Sequence, residues 1–171
     1  MQIREADRSD LKQIAHVAKT SYVDAFGEYF KDKDALEKET QERRSEKYFE
    51  SIFETDQILV AVDNELIVGY LQFGVPTLNI ELKPNSIELK RLYVLTQYHS
   101  KGFGKALLNS MLAHNKLSNI HTIYLEVWPK NEKAVNLYKS FGFVDTGHKR
   151  PFYENGIEVG FDSVYELTLS N

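Results

Sequence analysis

The run Leu92-Tyr93-Val94-Leu95, followed by His99-Ser100-Lys101-Gly102-Phe103-Gly104-Lys105-Ala106-Leu107-Leu108, constrains this chain most. A β-prone segment there enters a helix through a turn holding two glycines. The first N–H groups of a helix have no acceptor within it and carry partial positive charge, so a diphosphate can accept several hydrogen bonds at such a junction. Gly102 and Gly104 leave room for that approach, and Lys101 and Lys105 add countercharge. The same two glycines can also do no more than turn the chain before a core helix, and G-x-G alone does not separate the readings.

The flanking segments set the fold class. Ile3 to Ala6 reads as a first strand, after which Asp7 or Ser9 caps a helix with Leu11, Ile14, Ala15 and Ala18 at helical spacing. Residues 31–54 are charge-rich, with Leu36, Tyr48, Phe49, Ile52 and Phe53 on one face, and read as one further helical segment. Gln57 to Val62 and Leu66 to Phe73 are β-rich runs around Asp63-Asn64-Glu65, the pattern of a tight antiparallel hairpin. The remainder reads as strand Ile87 to Leu95, helix Phe103 to His114, strand Thr122 to Val127, helix Glu132 to Phe141 and closing strand Asp162 to Leu169. A meander feeding a βαβα unit is a mixed α/β sheet. Ligands in such sheets favour the split in strand order, which points to residues 92–104. With 171 residues, no repeats and no linker-like tract, residues 1–171 are expected to form one domain.

Two other nucleotide-binding loops fail or weaken on spacing. No G-x-x-x-x-G-K-S/T string occurs. A dinucleotide fingerprint needs a third glycine where Leu107 stands, although Glu126 sits where a ribose-binding acid belongs. Lys plus Arg number 21 against 25 Asp plus Glu, a net charge of −4 that gives no general pull toward nucleic acid or membrane and suits a cationic substrate. The absence of Cys excludes disulfides, thiolate zinc sites and a Cys nucleophile, and fits the cytoplasm. His16, His99, His114, His121 and His148 show no metal-ligand spacing, so no metal is expected, and no apolar run approaches the roughly 20 residues of a membrane span.

With a second motif the first gains meaning. Asn131-Glu132-Lys133-Ala134-Val135-Asn136-Leu137-Tyr138-Lys139-Ser140-Phe141-Gly142-Phe143 matches N-x-x-A-x-x-L-Y-x-x-x-G-F throughout, and together with the loop it resembles the GNAT superfamily of acyl-CoA-dependent N-acyltransferases. The family loop is Q/R-x-x-G-x-G/A, and His99 stands at its Gln/Arg position, where its backbone N–H and imidazole remain as donors. The resemblance is strong from Glu88 to Phe143. Val127-Trp128, the strand before the loop and the tail Gly147 to Tyr153 look most like PaiA-type spermidine/spermine acetyltransferases.

The resemblance implies a GNAT-like, mostly antiparallel mixed sheet flanked by helices and splayed at the acetyl-CoA site, with acetyl-CoA as cosubstrate. It implies coenzyme contacts from Leu92, Tyr93, Val94, His99, Ser100, Lys101, Gly102, Phe103, Gly104, Lys105, Asn131, Ala134, Tyr138 and Lys139. The strand Leu92 to Val94 would pair with the pantetheine arm, Tyr138 would protonate or hydrogen-bond the leaving thiolate, and Glu88 would accept the amine's proton. Read without the family, Asn131 is an ordinary N-cap, Tyr138 a core aromatic, and Glu88 a solvated carboxylate or partner of Lys90 or Arg91. Tyr22, Asp24, Phe26 and Tyr29 are candidates for the acceptor entrance or for packing; residues 147–153 close over an acceptor or join two strands; the charged stretch 31–50 is a solvated face or borders a polycation pocket. The expected partner is a small-molecule amine, first a polyamine such as spermidine or spermine. A protein N-terminus, amino acid or drug amine stands as the alternative acceptor, a non-catalytic acetyl-CoA-binding regulator as the alternative role, and a homodimer is compatible with the family.

Overall fold

A computed structural model describes residues 1–154 and 157–169. In chain order the elements are β1 (Gln2–Glu5), α1 (Leu11–Phe26), α2 (Lys33–Arg44), α3 (Glu46–Ile52), β2 (Gln57–Asp63), β3 (Leu66–Gly74), β4 (Ser86–Val94), α4 (Phe103–Leu112), β5 (Thr122–Val127), α5 (Glu132–Ser140), β6 (Val144–Glu154) and β7 (Ile157–Thr168). They fall into two compact units, Met1–Phe73 with Arg91–His114, and Gly74–Lys90 with the described residues from Asn115 onward.

In the first unit, β1, β2 and β3 form an antiparallel meander, and the Leu95 N–H donates to the Val68 carbonyl just past the end of β4. The hairpin turn is Asn64-Glu65, both at positive φ (48° and 67°), the conformation that lets a two-residue loop follow strand twist. Residues Ile67 to Gly74 of β3 are all buried, without alternation, as expected of a strand covered on both faces. Against it lie Leu11, Ile14, Val17 and Ala18 of α1 together with Phe49 of α3, a helical stripe closing on a strand face. Gly69 matters by being small. A Cβ there would stand 2.9 Å from the Tyr93 carbonyl oxygen and 3.0 Å from a Val94 methyl group, so β3 approaches the last residues of β4 as only glycine allows.

The expected single helix over 31–54 is two. Ser45 leaves helical space (φ −83°, ψ 163°), and its hydroxyl accepts from the Tyr48 N–H, so it ends α2 and caps α3. The opening cap is likewise more elaborate than expected. Asp7 accepts from the Ser9 N–H, and the Asp10 carboxylate returns to the Asp7 N–H at 2.8 Å while Arg4 donates to both its oxygens at 2.6 and 2.9 Å.

In the second unit β4 pairs parallel with β5 from Ser86↔Thr122 to Leu89↔Leu125, and β5 pairs antiparallel with β7, which pairs with β6. Pairing between β4 and β5 stops at Leu89, whereas β5 continues against β7 through Val127. The chain is therefore α/β with a mixed, mostly antiparallel pattern flanked by helices. One strand escaped the sequence reading: residues 147–153, taken as a closing loop or connection, lie inside β6, and the last strand begins at Ile157 rather than Asp162. Gly147 (φ +81°) and Pro151 obscured the period-2 signal there. Asn155, Gly156, Ser170 and Asn171 lie outside the described residues.

Gly69→Ala should lower stability by about 1–3 kcal/mol in chemical denaturation, because the obstructing Tyr93 oxygen is backbone and cannot rotate away. The Arg4 guanidinium holds the Asp10 carboxyl below its usual range. Its contribution is therefore complete above the unfolded value of about 3.9 and is lost as pH falls through the lower folded value. Asp10→Asn should cost about 1–3 kcal/mol at pH 7, a gap that narrows in urea unfolding below about pH 3.

Candidate functional site

The turn between β4 and α4 lies in the first unit. A 3₁₀ turn at Thr96–Tyr98 reverses the chain, and Thr96 Oγ1 ties it to α1 by donating to Asp24 Oδ2 at 2.7 Å. Ser100 (φ 60°) and Gly102 (φ +86°) then take left-handed conformations. Gly102 occupies the N-cap position of α4, and no side chain caps the helix. Its first-turn N–H groups thus keep the partial positive charge that an anion would complement. Lys101, Gly102 and Lys105 are exposed, whereas Phe103 is buried with Leu107, Leu108 and Met111 and anchors the helix by its other face. Lys101 Nζ stands 5.0 Å above the Tyr98 ring, and Tyr98 meets Phe103 edge-on at 5.6 Å.

His99 is bonded within its own loop. Its backbone N–H donates to the Thr96 carbonyl at 3.1 Å, and its Nε2 bonds the Val94 carbonyl at 2.8 Å. A carbonyl only accepts, so Nε2 carries the proton in this contact. The two donors assigned to a ligand are engaged in closing the loop onto the end of β4.

Asn131, Ala134, Tyr138 and Lys139 belong to the second unit, where the motif is a complete set of helix-end devices. Asn131 Oδ1 accepts from the Ala134 N–H at 3.2 Å, capping α5. At the far end Gly142 (φ +91°) donates to the Lys139 carbonyl at 3.0 Å and Phe143 donates to the Tyr138 carbonyl at 3.1 Å, a Schellman closure. The apolar contact that accompanies this closure is Phe143 against the Tyr138 ring, centroids 5.7 Å apart. Tyr138 is correspondingly buried.

Glu88, also in the second unit, is neither solvated nor the ion-pair partner of Arg91. It is 6% exposed, and its Oε2 accepts from the Thr77 N–H at 2.7 Å and Thr77 Oγ1 at 3.0 Å, holding the connection between β3 and β4. In the same unit Arg150 donates through Nε to both oxygens of Glu126 at 2.7 Å and through Nη2 to Asp162 at 2.8 Å. Burial raises the Asp162 carboxyl, partly offset by the Arg150 charge. Nothing in the sequence marked this triad, since its members lie on three strands.

Sequence reading also missed a cluster in the first unit. Arg44, near the end of the charged stretch, is 6% exposed; its Nη1 meets Glu39 at 2.9 Å and its guanidinium lies 3.3 Å from the Tyr22 ring centroid. Burial pushes the Tyr22 phenol up to about 12 against the opposing pull of Arg44, so the ring faces the cation as a neutral π system. Of the aromatic residues proposed for the acceptor entrance, Tyr22 and Phe26 lie within α1 in contact at 4.9 Å, while Tyr29 is exposed. Among the described residues no group of three or more acidic or histidine side chains can hold a metal ion, and no helix is long and apolar enough to cross a membrane.

With this geometry in place, similarity to known proteins becomes informative. The model of the Acetyltransferase (GNAT) family matches residues 18–143. An N-alpha-acetyltransferase of Sulfurisphaera tokodaii is 30% identical over 162 residues, which are 90% of this chain and 86% of that protein. A spermine/spermidine N(1)-acetyltransferase of Bacillus subtilis is 31% identical over 83 residues, 47% of this chain and 55% of the relative. The crystal structure of a PaiA N-acetyltransferase from Thermoplasma acidophilum, in complex with coenzyme A, shares the fold with a TM-score of 0.78 at 20% identity, covering 98% of each chain.

Replacing Gly102 by Ala places a Cβ at φ +86° and should cost about 1–2 kcal/mol of thermal stability, although the space beside it is open. Ser100→Gly should raise stability by a smaller margin, so opposite shifts in Tm check the left-handed assignments.

Proposed function

Because this chain belongs to the Acetyltransferase (GNAT) family and is an acyltransferase using acetyl-CoA, we propose that it moves the acetyl group to a primary amine by direct attack, with residues 1–171 as one N-acetyltransferase domain. The observation that carries this reading is the helix start at Gly102, where a left-handed residue precedes a first turn without a side-chain cap. Such a turn accepts the coenzyme's pyrophosphate, with Ser100, Lys101, Gly102, Phe103, Gly104 and Lys105 offering backbone donors and countercharge. His99 serves the coenzyme indirectly by shaping this loop. The pantetheine arm adds to Leu92, Tyr93 and Val94 like a further strand, a role supported by the end of β4 pairing at Leu89. Asn131, Ala134 and Lys139 contact the coenzyme from α5.

The chemistry needs a neutral amine, and deprotonating an ammonium of pKa about 10.4 at pH 7 costs about 4–5 kcal/mol. Glu88 is the base in this proposal. Its fixed attachment to Thr77 supports a carboxylate of defined orientation. The amine attacks the thioester carbon, the tetrahedral intermediate expels the thiolate of CoA, and Tyr138 donates a hydrogen bond or proton to that sulfur. Holding both reactants at attack distance contributes up to about 7–11 kcal/mol, so no covalent enzyme intermediate is required.

Two acceptor classes compete. Polyamines follow from the spermine/spermidine relative, whose similarity spans 47% of the chain; an α-amine follows from the N-alpha-acetyltransferase, whose similarity spans 90%. Free CoA release, followed by thiol detection across spermidine, amino acids and peptides, should identify a turned-over amine, and stabilisation by acetyl-CoA without release on any of them would leave a binder instead. In the same assay Tyr138→Phe should lower kcat by about 10- to 100-fold with KM for acetyl-CoA little changed. An unaltered kcat would remove Tyr138 as the acid.

A further inference from the structure

We infer that the acceptor carries a carboxylate beside its amine, bound by Arg44, Arg91 and the hydroxyl of Tyr70 in the first unit. This inference rests on the acetyl-transfer reading and narrows its substrate class. The charge balance of the cluster is one-sided. Arg43 and Arg44 share a single carboxylate, Glu39, at 3.8 and 2.9 Å, while Arg91 donates to the Arg43 carbonyl and stacks its guanidinium 4.4 Å from the Tyr48 ring centroid. No carboxylate among the described residues pairs with Arg91. Three guanidinium groups around one acid leave a local surplus of positive charge in a chain whose net charge is −4.

Two buried polar atoms there have no hydrogen-bond partner: Nε of Arg44, a residue 6% exposed, and the hydroxyl of Tyr70, which is 0% exposed. Native proteins rarely leave such groups unmatched; Arg44 Nε can only donate, and the Arg91 guanidinium that neighbours the Tyr70 phenol is itself a donor, so what the cluster lacks is an acceptor. The Tyr70 phenol is within hydrogen-bonding influence of Arg91 and also feels the charge of Arg44, so its hydroxyl belongs to the same cluster. A carboxylate offers two acceptor oxygens and a negative charge, the complement of this set. A polyamine would instead meet like charge.

The location suits an acceptor. Tyr70 stacks on Tyr93, centroids 5.9 Å apart at 24°, and Tyr93 belongs to the strand segment assigned to the pantetheine arm. An amine directed at the thioester would carry its carboxylate toward this cluster. The shared chemistry covers a free amino acid and a peptide N-terminus with an acidic neighbour, and matched acceptors separate them.

The test compares alanine with alaninamide, and a peptide carrying Glu at its second position with the Gln counterpart, alongside spermidine, by CoA release. One carboxylate-bearing member should exceed its amide in kcat/KM by about 10- to 100-fold, chiefly through KM, and the pair that shows it identifies the source. Tyr70→Phe and Arg91→Gln should each shrink that ratio several-fold. Tyr70→Phe deletes only a buried hydroxyl and keeps the packed ring, so the variant should fold and keep the result readable. Ratios near one for both pairs, or spermidine turned over best, would overturn the inference while leaving acetyl transfer standing. Absence of CoA release from every amine would instead defeat the acetyl-transfer reading; titration calorimetry of the same pairs with CoA-bound protein then reads the carboxylate preference directly, and equal affinities would end it.

Discussion

The start of α4 is where structure and chemistry meet. A helix that begins at an exposed glycine without a side-chain cap gives up a stabilising contact worth roughly a few tenths of a kcal/mol, and the surrounding residues make that opening rigid. Ser100 and Gly102 take left-handed geometry, His99 closes the loop onto Val94, Thr96 fastens it to Asp24, and Phe103 plugs the helix into the core. On the other side of β4, Gly69 permits the close approach of β3 to Tyr93 and Val94. The strand end and the helix start are thereby held as one piece, as a site that recognises a diphosphate by backbone requires.

The α5 motif shows how a functional signature can also be a folding device. Asn131 and Ala134 form the cap, Gly142 supplies the left-handed residue, and Phe143 docks on Tyr138 as the helix closes. These contacts hold the ring of Tyr138 from within its own helix end. The structural and chemical readings of Asn131 and Tyr138 are therefore compatible, because the residues that order the helix also orient its phenol.

Charged side chains are held differently in two clusters, the one around Arg44 and the one around Arg150. In the first, guanidinium groups lie over aromatic rings with a single carboxylate among them. In the second, Arg150 bridges two carboxylates, while Glu88 of the same unit is held by the amide and hydroxyl of Thr77.

Local signals were legible in the sequence. The hairpin around Asn64-Glu65, the strand Thr122–Val127, the glycine turn into α4 and the capped helix at Asn131 follow from φ preferences, capping chemistry and periodicity over a few residues. Those same local rules carried the resemblance to acetyltransferases. Tertiary structure alone decided the rest. It turned one charged helical stretch into α2 and α3 with Arg44 buried beneath Tyr22, made residues 147–153 part of a strand, set Glu88 against Thr77, and engaged His99 within its own loop. Each of these depends on partners distant in sequence or on burial, and a side chain's partner is chosen by what packs against it, which no short window of residues contains.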